Sequence, residues 1–161
     1  LSALIDKIRA RIPNVTLRTT LITGFPGETE EQFCELARFV KEKRFDRLGC
    51  FTYSAEEDTA AALFPDQIDE QTKQDRMDNI MELQQTISAE KNEEKIGTVT
   101  EVLTEGWDDY IKCYFGRTQS DAPEVDGKIF FMSSRPLVIG EFVKVRINDT
   151  LDYDLLGELE E

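Results

Sequence analysis

The sequence predicts an α/β segment followed by a small all-β barrel. Three observations carry that expectation. Helix-like and strand-like patterns alternate through residues 2–53 with short links. One long helical pattern then covers residues 69–95. From Gly97 onward only short strand-like segments remain, separated by turn residues.

The elements of the first part follow in order. Residues 2–11 place Leu4, Ile5 and Ile8 at helical spacing and stop before Pro13. Residues 16–23 read as a strand and residues 29–44 as a helix. Thr29 with Gln32 makes a capping box, and Phe33, Leu36, Ala37 and Val40 form its apolar stripe. Residues 46–53 give a second strand, so the order is that of a parallel βαβ unit. A loop over residues 54–66 carries Ala60-Ala61-Ala62-Leu63-Phe64 as its expected apolar anchor. The long helix presents Met77, Ile80, Met81, Gln84 and Ile87 on one stripe. Asp69 and Glu70 suit its N-terminal dipole, Lys91 and Lys95 its C-terminal one, and Gly97 ends it.

In the second part, residues 98–104, 110–115, 128–132, 141–148 and 153–158 read as strands. Gly106, Asp121-Ala122-Pro123, Asp126-Gly127, Arg135-Pro136, Gly140 and Asn148-Asp149 separate them. Five short strands in so small a span predict an OB-like, closed or nearly closed antiparallel β-barrel.

Composition narrows the chemistry. The 161 residues contain no histidine, which excludes imidazole acid–base catalysis, histidine-dependent triads and the usual zinc sites. Cys34, Cys50 and Cys113 lie too far apart to form a cluster loop, and read as small buried apolar residues of a reduced protein. No apolar run approaches the roughly 20 residues that span a bilayer, and no signal-peptide pattern opens the chain. The expectation is a soluble, cytoplasmic protein, and Leu1 in place of Met suggests a cut from a longer chain.

Charge is the strongest compositional signal. Net charge is −14, and residues 97–161 hold 14 acids against 6 bases. Phosphate backbones are gripped by lysine and arginine, so direct nucleic-acid binding is not expected of this part. The acid excess serves either a basic protein partner or solubility alone.

The residues that speak most directly of function are Gly24-Phe25-Pro26-Gly27, where the first strand drops into the Thr29 helix. Such a glycine-bearing strand–helix turn is where α/β proteins hold small molecules, although it also serves as plain chain reversal. Strand alternation puts Arg18, Thr20, Ile22 and Gly24 on one face. Arg18 there is matched either to a ligand carboxylate or to a structural ion pair with Glu28 or a neighbouring strand.

Three stretches resemble one family. Thr19-Thr20-Leu21-Ile22-Thr23-Gly24-Phe25-Pro26-Gly27-Glu28-Thr29 is similar to the fifth barrel strand and following loop of radical S-adenosylmethionine methylthiotransferases. Leu48-Gly49-Cys50-Phe51-Thr52-Tyr53-Ser54-Ala55-Glu56-Glu57-Asp58-Thr59-Ala60 is similar to their sixth strand and its exit loop. Gly116-Arg117-Thr118-Gln119-Ser120-Asp121-Ala122-Pro123-Glu124-Val125-Asp126-Gly127 resembles the TRAM domain that ends these enzymes. Its wording is nearest the branch that methylthiolates an aspartate of ribosomal protein S-twelve.

The resemblance implies that residues 1–96 are the C-terminal end of a partial TIM-type (β/α) barrel and residues 97–161 a TRAM barrel that docks substrate. It implies S-adenosylmethionine and two 4Fe–4S clusters in the parent enzyme. Their cysteine motifs do not occur here, so this chain alone is expected to bind no cluster, hold no catalytic residue or metal ligand, and be inactive. Arg18, Thr20, Gly24, Phe25, Pro26, Gly27, Phe51 and Tyr53 then become the cofactor-binding candidates, with the glycine loop at the C-terminal end of a barrel strand. Phe51 and Tyr53 share a face by strand alternation, and pack either on adenine or in the core. Asp58 stands where relatives commonly carry glycine, so a left-handed backbone would be tolerated rather than favoured.

The partner implied is a basic ribosomal protein of the small subunit, met by Asp108, Asp109, Asp121, Glu124 and Asp126. Trp107 beside the first two is a barrel plug or a contact residue. The edge of the first strand, lacking its preceding neighbour, is expected to favour self-association. The tRNA-modifying branch and a non-catalytic protein-binding module are the alternatives.

Overall fold

In the computed structural model of the chain, which describes residues 1–160, helix α1 (Ser2–Arg11) is fastened by its charged side chains. Arg9 donates to the carbonyl oxygens of Lys43 and Arg44, the latter at 2.9 Å, at the helix end where carbonyls lack partners. Lys43 reaches back to Asp6 at 2.9 Å. Of the expected stripe, Ile5 is buried, Ile8 half-buried and Leu4 exposed.

Strand β1 (Arg18–Thr23) leads through the glycine loop into α2 (Glu30–Lys43). The Thr29 hydroxyl accepts the Gln32 N–H at 3.3 Å and the Gln32 side chain accepts the Thr29 N–H at 3.0 Å, so the capping box is complete. Strand β2 (Arg47–Thr52) pairs in parallel with β1, in the register Leu21 to Cys50 and Ile22 to Phe51. Phe33 and Val40 of α2 and Cys50 of β2 meet Ile80 and Ile87 of α3 (Glu70–Glu93) in one core. Full burial of Val40 and Ile80 contributes about 1.5–3 kcal/mol each. Gln84 completes the α3 stripe by donating to the Phe45 carbonyl at 3.0 Å.

Residues 60–64 anchor less than expected. Ala60–Leu63 form one 3₁₀ turn with Leu63 87 % exposed and Ala61 and Ala62 half-buried, and Phe64 meets Phe25 edge-on at 6.2 Å. Asp58 adopts a φ of +65°, the left-handed backbone that its glycine-bearing relatives suggested.

The chain divides into two units, Leu1–Ile87 and Ser88–Glu161, with the sequence boundary falling within α3. The second unit is a closed barrel of β3 (Val99–Asp108), β4 (Cys113–Thr118), β5 (Ile129–Met132), β6 (Phe142–Thr150) and β7 (Leu155–Leu159), in the order β3-β4-β5-β7-β6. Val102, Ile129, Phe131, Val143, Val145, Ile147 and Leu155 alternate inward to fill it.

Two features of the barrel differ from the antiparallel reading. The β5–β7 pairing is parallel, because five strands cannot alternate direction all the way round a closed ring. Strands β3 and β6 also run past expected turns. Register shifts between Thr104 and Gly106 and between Ile147 and Asp149 turn those punctuating residues into bulges. Gly106 is required there, since a Cβ would land on the Phe115 ring.

Candidate functional site

The loop after β1 is held from below. Gly24 is buried at φ +73°, and a Cβ at that position would land on the Lys73 stem. The Gly24 N–H donates to the Glu28 carboxylate at 3.0 Å. The same Glu28 oxygen accepts from Arg76 at 2.7 Å, and Arg76 also donates to the Glu28 carbonyl at 3.2 Å and to Glu30 at 3.2 Å. Gly27 donates to the Asp66 carbonyl at 3.0 Å, and a Cβ on Gly27 would meet nothing within 4 Å. The loop is thus rigid at Gly24 and open at Gly27.

Above β1 and β2 lies an open face. Arg18, Thr20, Ile22 and Phe51 are all exposed on it, with Ile22 and Phe51 directly paired across the strands at 56 % and 62 % exposure. Gly24 leaves this face because β1 ends at Thr23 and the chain turns down. Tyr53 leaves it too: β2 ends at Thr52, and Tyr53 is only 9 % exposed. Its N–H donates to the Thr23 carbonyl at 2.8 Å and its ring meets Phe25 edge-on at 5.2 Å. The expected Phe51–Tyr53 face is therefore not formed, since period-two alternation stops with the strand. Pro26 is buried, while Phe25 is 44 % exposed and turns one edge to solvent.

Chemically, this arrangement offers an apolar wall of Ile22 and Phe51 near the C-terminal ends of the parallel strands, with Thr20 midway along β1 and Arg18 at its N-terminal start. Ile22 and Phe51 give a flat group something to stack on, and Gly27 lets backbone approach a ligand closely. Those residues fit an adenosyl cofactor. They do not fit a cluster. Cys50 and Cys113 are buried as expected, and burial pushes both thiols up, but Cys34 is exposed on α2, because it lies off the buried Phe33–Val40 stripe. Among the described residues no group of three or more His, Cys, Asp or Glu is placed to hold a metal ion. No helix of the described residues is long and apolar enough to cross a membrane.

Lys73 and Arg76 did not emerge from the sequence. Their signal is present, however: both occupy positions that continue the Ile80, Gln84 and Ile87 stripe toward the helix N-terminus. Cations on a buried stripe mark a polar partner underneath.

In the second unit the candidate acids separate into two kinds. Asp121 and Asp126 are half-buried turn builders, Asp121 bonding Thr118 and Asp126 accepting the Ala122 N–H at 2.6 Å. Asp108 caps the next turn, accepting from the Tyr110 and Ile111 N–H groups at 2.8 and 3.1 Å. Asp109 and Glu124 are exposed. Trp107 is neither wholly plug nor wholly contact residue. Its ring meets Tyr114 edge-on at 4.8 Å, its Nε1 donates to Asp109 at 3.1 Å, and it remains 44 % exposed. Tyr110 at the hairpin tip is 96 % exposed.

Comparison with known proteins finds similarity along nearly the whole chain. Residues 96–159 match the TRAM domain family. Over 157 residues the chain is 54 % identical to "Ribosomal protein uS12 methylthiotransferase RimO" of Desulforamulus reducens, covering 97 % of this chain and 35 % of that protein. Proteins of the same name from Clostridium novyi and Clostridioides difficile are each 51 % identical, over 95 % and 96 % of this chain and 34 % and 35 % of theirs. The chain spans about a third of the length of the curated relatives it matches.

Proposed function

We propose that the chain is the C-terminal part of a ribosomal protein methylthiotransferase of the RimO family, to whose members it is similar over nearly its whole length. In this reading residues 1–96 complete one side of the S-adenosylmethionine pocket, and residues 97–161 dock the ribosomal substrate protein. The observation that carries it is the open Ile22–Phe51 face beside a glycine loop, at the C-terminal ends of two parallel strands.

The roles follow from that placement. Ile22 and Phe51 form the apolar wall for the adenosyl group. The Gly24–Gly27 backbone orients it, and Arg18 and Thr20 face its polar end. Radical chemistry belongs to the cofactors of the parent enzyme, whereas these residues bind, orient and exclude water. Cluster ligands come from outside the described residues in this reading, so the 161-residue chain binds S-adenosylmethionine weakly and does not turn over.

The barrel's acid excess favours a basic protein partner over the tRNA of the sister branch. The test is retention of residues 88–161, within the whole chain, by the small-subunit protein uS12 and by tRNA at low and moderate salt. Salt-sensitive retention by the ribosomal protein is expected. Preferential retention by tRNA would reassign the chain to the tRNA-modifying branch.

A further inference from the structure

Arg76 is buried on α3, yet its side-chain bonds go to the glycine loop and the first residue of α2. Its guanidinium meets the Glu28 carboxylate at 2.7 Å and the Glu28 carbonyl at 3.2 Å. Glu28 in turn holds the Gly24 N–H at 3.0 Å through the same oxygen. Arg76 and Glu28 side chains are only 8 % and 13 % exposed, while Glu30 at 3.2 Å is open to solvent. The Phe33 ring lies 5.4 Å from the guanidinium, and the Arg76 Nε is buried without a partner.

A buried ion pair with an unpaired donor is a poor source of stability, because desolvation offsets most of the attraction. An apolar pair of similar size would hold the loop to α3 as well. What it would not do is fix the orientation of the Gly24 amide. The relay from Arg76 through Glu28 to Gly24 sets the backbone direction at the point where β1 becomes the loop. The Lys73 stem under Gly24 closes the alternative of the loop sinking toward α3.

We infer that Arg76 is a positioning residue for the cofactor loop: through Glu28 it aims the Gly24–Gly27 backbone at the adenosyl ligand without touching that ligand. The inference rests on the reading that this loop lines the S-adenosylmethionine site. It adds that pocket geometry is set from α3, forty-eight residues downstream of Glu28.

The test uses the full-length enzyme with Arg76→Gln, Arg76→Lys and, as a direct probe of the loop, Phe25→Ala. S-adenosylmethionine affinity is measured by equilibrium dialysis, Gly24 amide exchange by mass spectrometry, and KM and kcat by turnover. Arg76→Gln should weaken cofactor affinity about ten-fold, as expected for a misaimed but intact site, and should raise KM more than it lowers kcat. Gly24 exchange should quicken in parallel. Arg76→Lys should recover part of the affinity, since it restores charge toward Glu28 but cannot bond Glu28 and Glu30 together. If Arg76→Gln does not fold, Arg76→Lys decides by the same comparison.

Unchanged affinity in the arginine variants with weakened binding in Phe25→Ala would overturn the positioning role and leave the site standing. Unchanged affinity in all three would overturn the cofactor reading of the loop, and the inference with it.

Discussion

One Asp121 oxygen accepts both the backbone N–H and the hydroxyl of Thr118, at 3.0 and 2.6 Å. The carboxylate therefore builds the turn that leaves β4, whatever else it does. Glu124, four-square in solvent at φ +60°, makes no such bond. Asp121→Asn should lower the barrel's melting temperature, because an amide cannot accept both bonds as well as a carboxylate. Glu124→Gln should leave melting unchanged and slow association with a basic partner, more so at low salt. Thermal melts and stopped-flow association of the two variants separate turn building from docking. Equal melts with equal association rates would remove both residues from the docking surface.

The two loop glycines predict opposite sensitivities. At Gly24 a methyl group would combine a left-handed backbone with overlap on the buried Lys73 stem, so Gly24→Ala should destabilise the first unit by about 2–4 kcal/mol. At Gly27 the backbone is also left-handed, at φ +83°, but the space is open. Gly27→Ala should cost only about 1 kcal/mol, the penalty of the backbone alone. Urea unfolding of the two variants tests this, and an equal loss at both sites would show that Lys73 yields readily.

How much of this was legible in the sequence depended on range. The capping box at Thr29 and the apolar stripe of α3 are local patterns, and each stands where its residues put it, whereas α3 ends at Glu93, before the expected Gly97 stop, whose N–H bonds Ile147 instead. Glu28 and Arg76 carry no local pattern that names them as partners, because tertiary packing brings them together. Tyr53 was misplaced for a different reason. Its alternation with Phe51 is correct only while the strand lasts, and the strand ends one residue earlier. In the barrel, Gly106 and Asn148-Asp149 have turn chemistry but sit in bulges, where the same backbone freedom bends a strand without ending it. The open face of β1 and β2 could be read only in part, since the inward or outward sense of an alternating strand is set by what packs on it.

Acid should loosen the start of α3 through Asp69. Its carboxylate accepts the Thr72 hydroxyl at 2.7 Å and the Thr72 N–H at 3.0 Å, and these bonds hold it below the usual carboxylate range. A carboxyl group with a depressed folded-state pKa contributes stability that is complete above its unfolded value. That contribution is lost as pH falls through the usual range toward the folded one. Helix content should therefore be steady at neutral pH and decline below about pH 5. Acidification also relieves the self-repulsion of a chain with net charge −14, which acts in the opposite sense. Asp69→Asn isolates the cap, because asparagine still caps but does not titrate. Circular dichroism melts across this range should show a smaller acid loss in the variant. Identical acid profiles would assign the titration elsewhere.

The face formed by Ile22 and Phe51 should make the 161-residue chain associate with itself. Strand β1 pairs only with β2 among the described residues, so one edge of each strand carries backbone groups with no strand beside them. Beside those edges, Ile22 and Phe51 expose apolar surface on the same side. An open parallel edge next to an apolar face is a template for strand addition, and the chain carries no proline or lysine within either strand to discourage it. Sedimentation should show concentration-dependent dimers, and amides of residues 18–22 should exchange more slowly as concentration rises. Placing lysine at Phe51 should abolish both effects, because the charge would sit in the middle of the apolar face. In the full-length enzyme, where the proposed barrel covers this face, Phe51→Lys should instead weaken S-adenosylmethionine binding. A chain that stays monomeric at every concentration, with slow exchange through residues 18–22, would show that the two-stranded sheet is stable with its edges open.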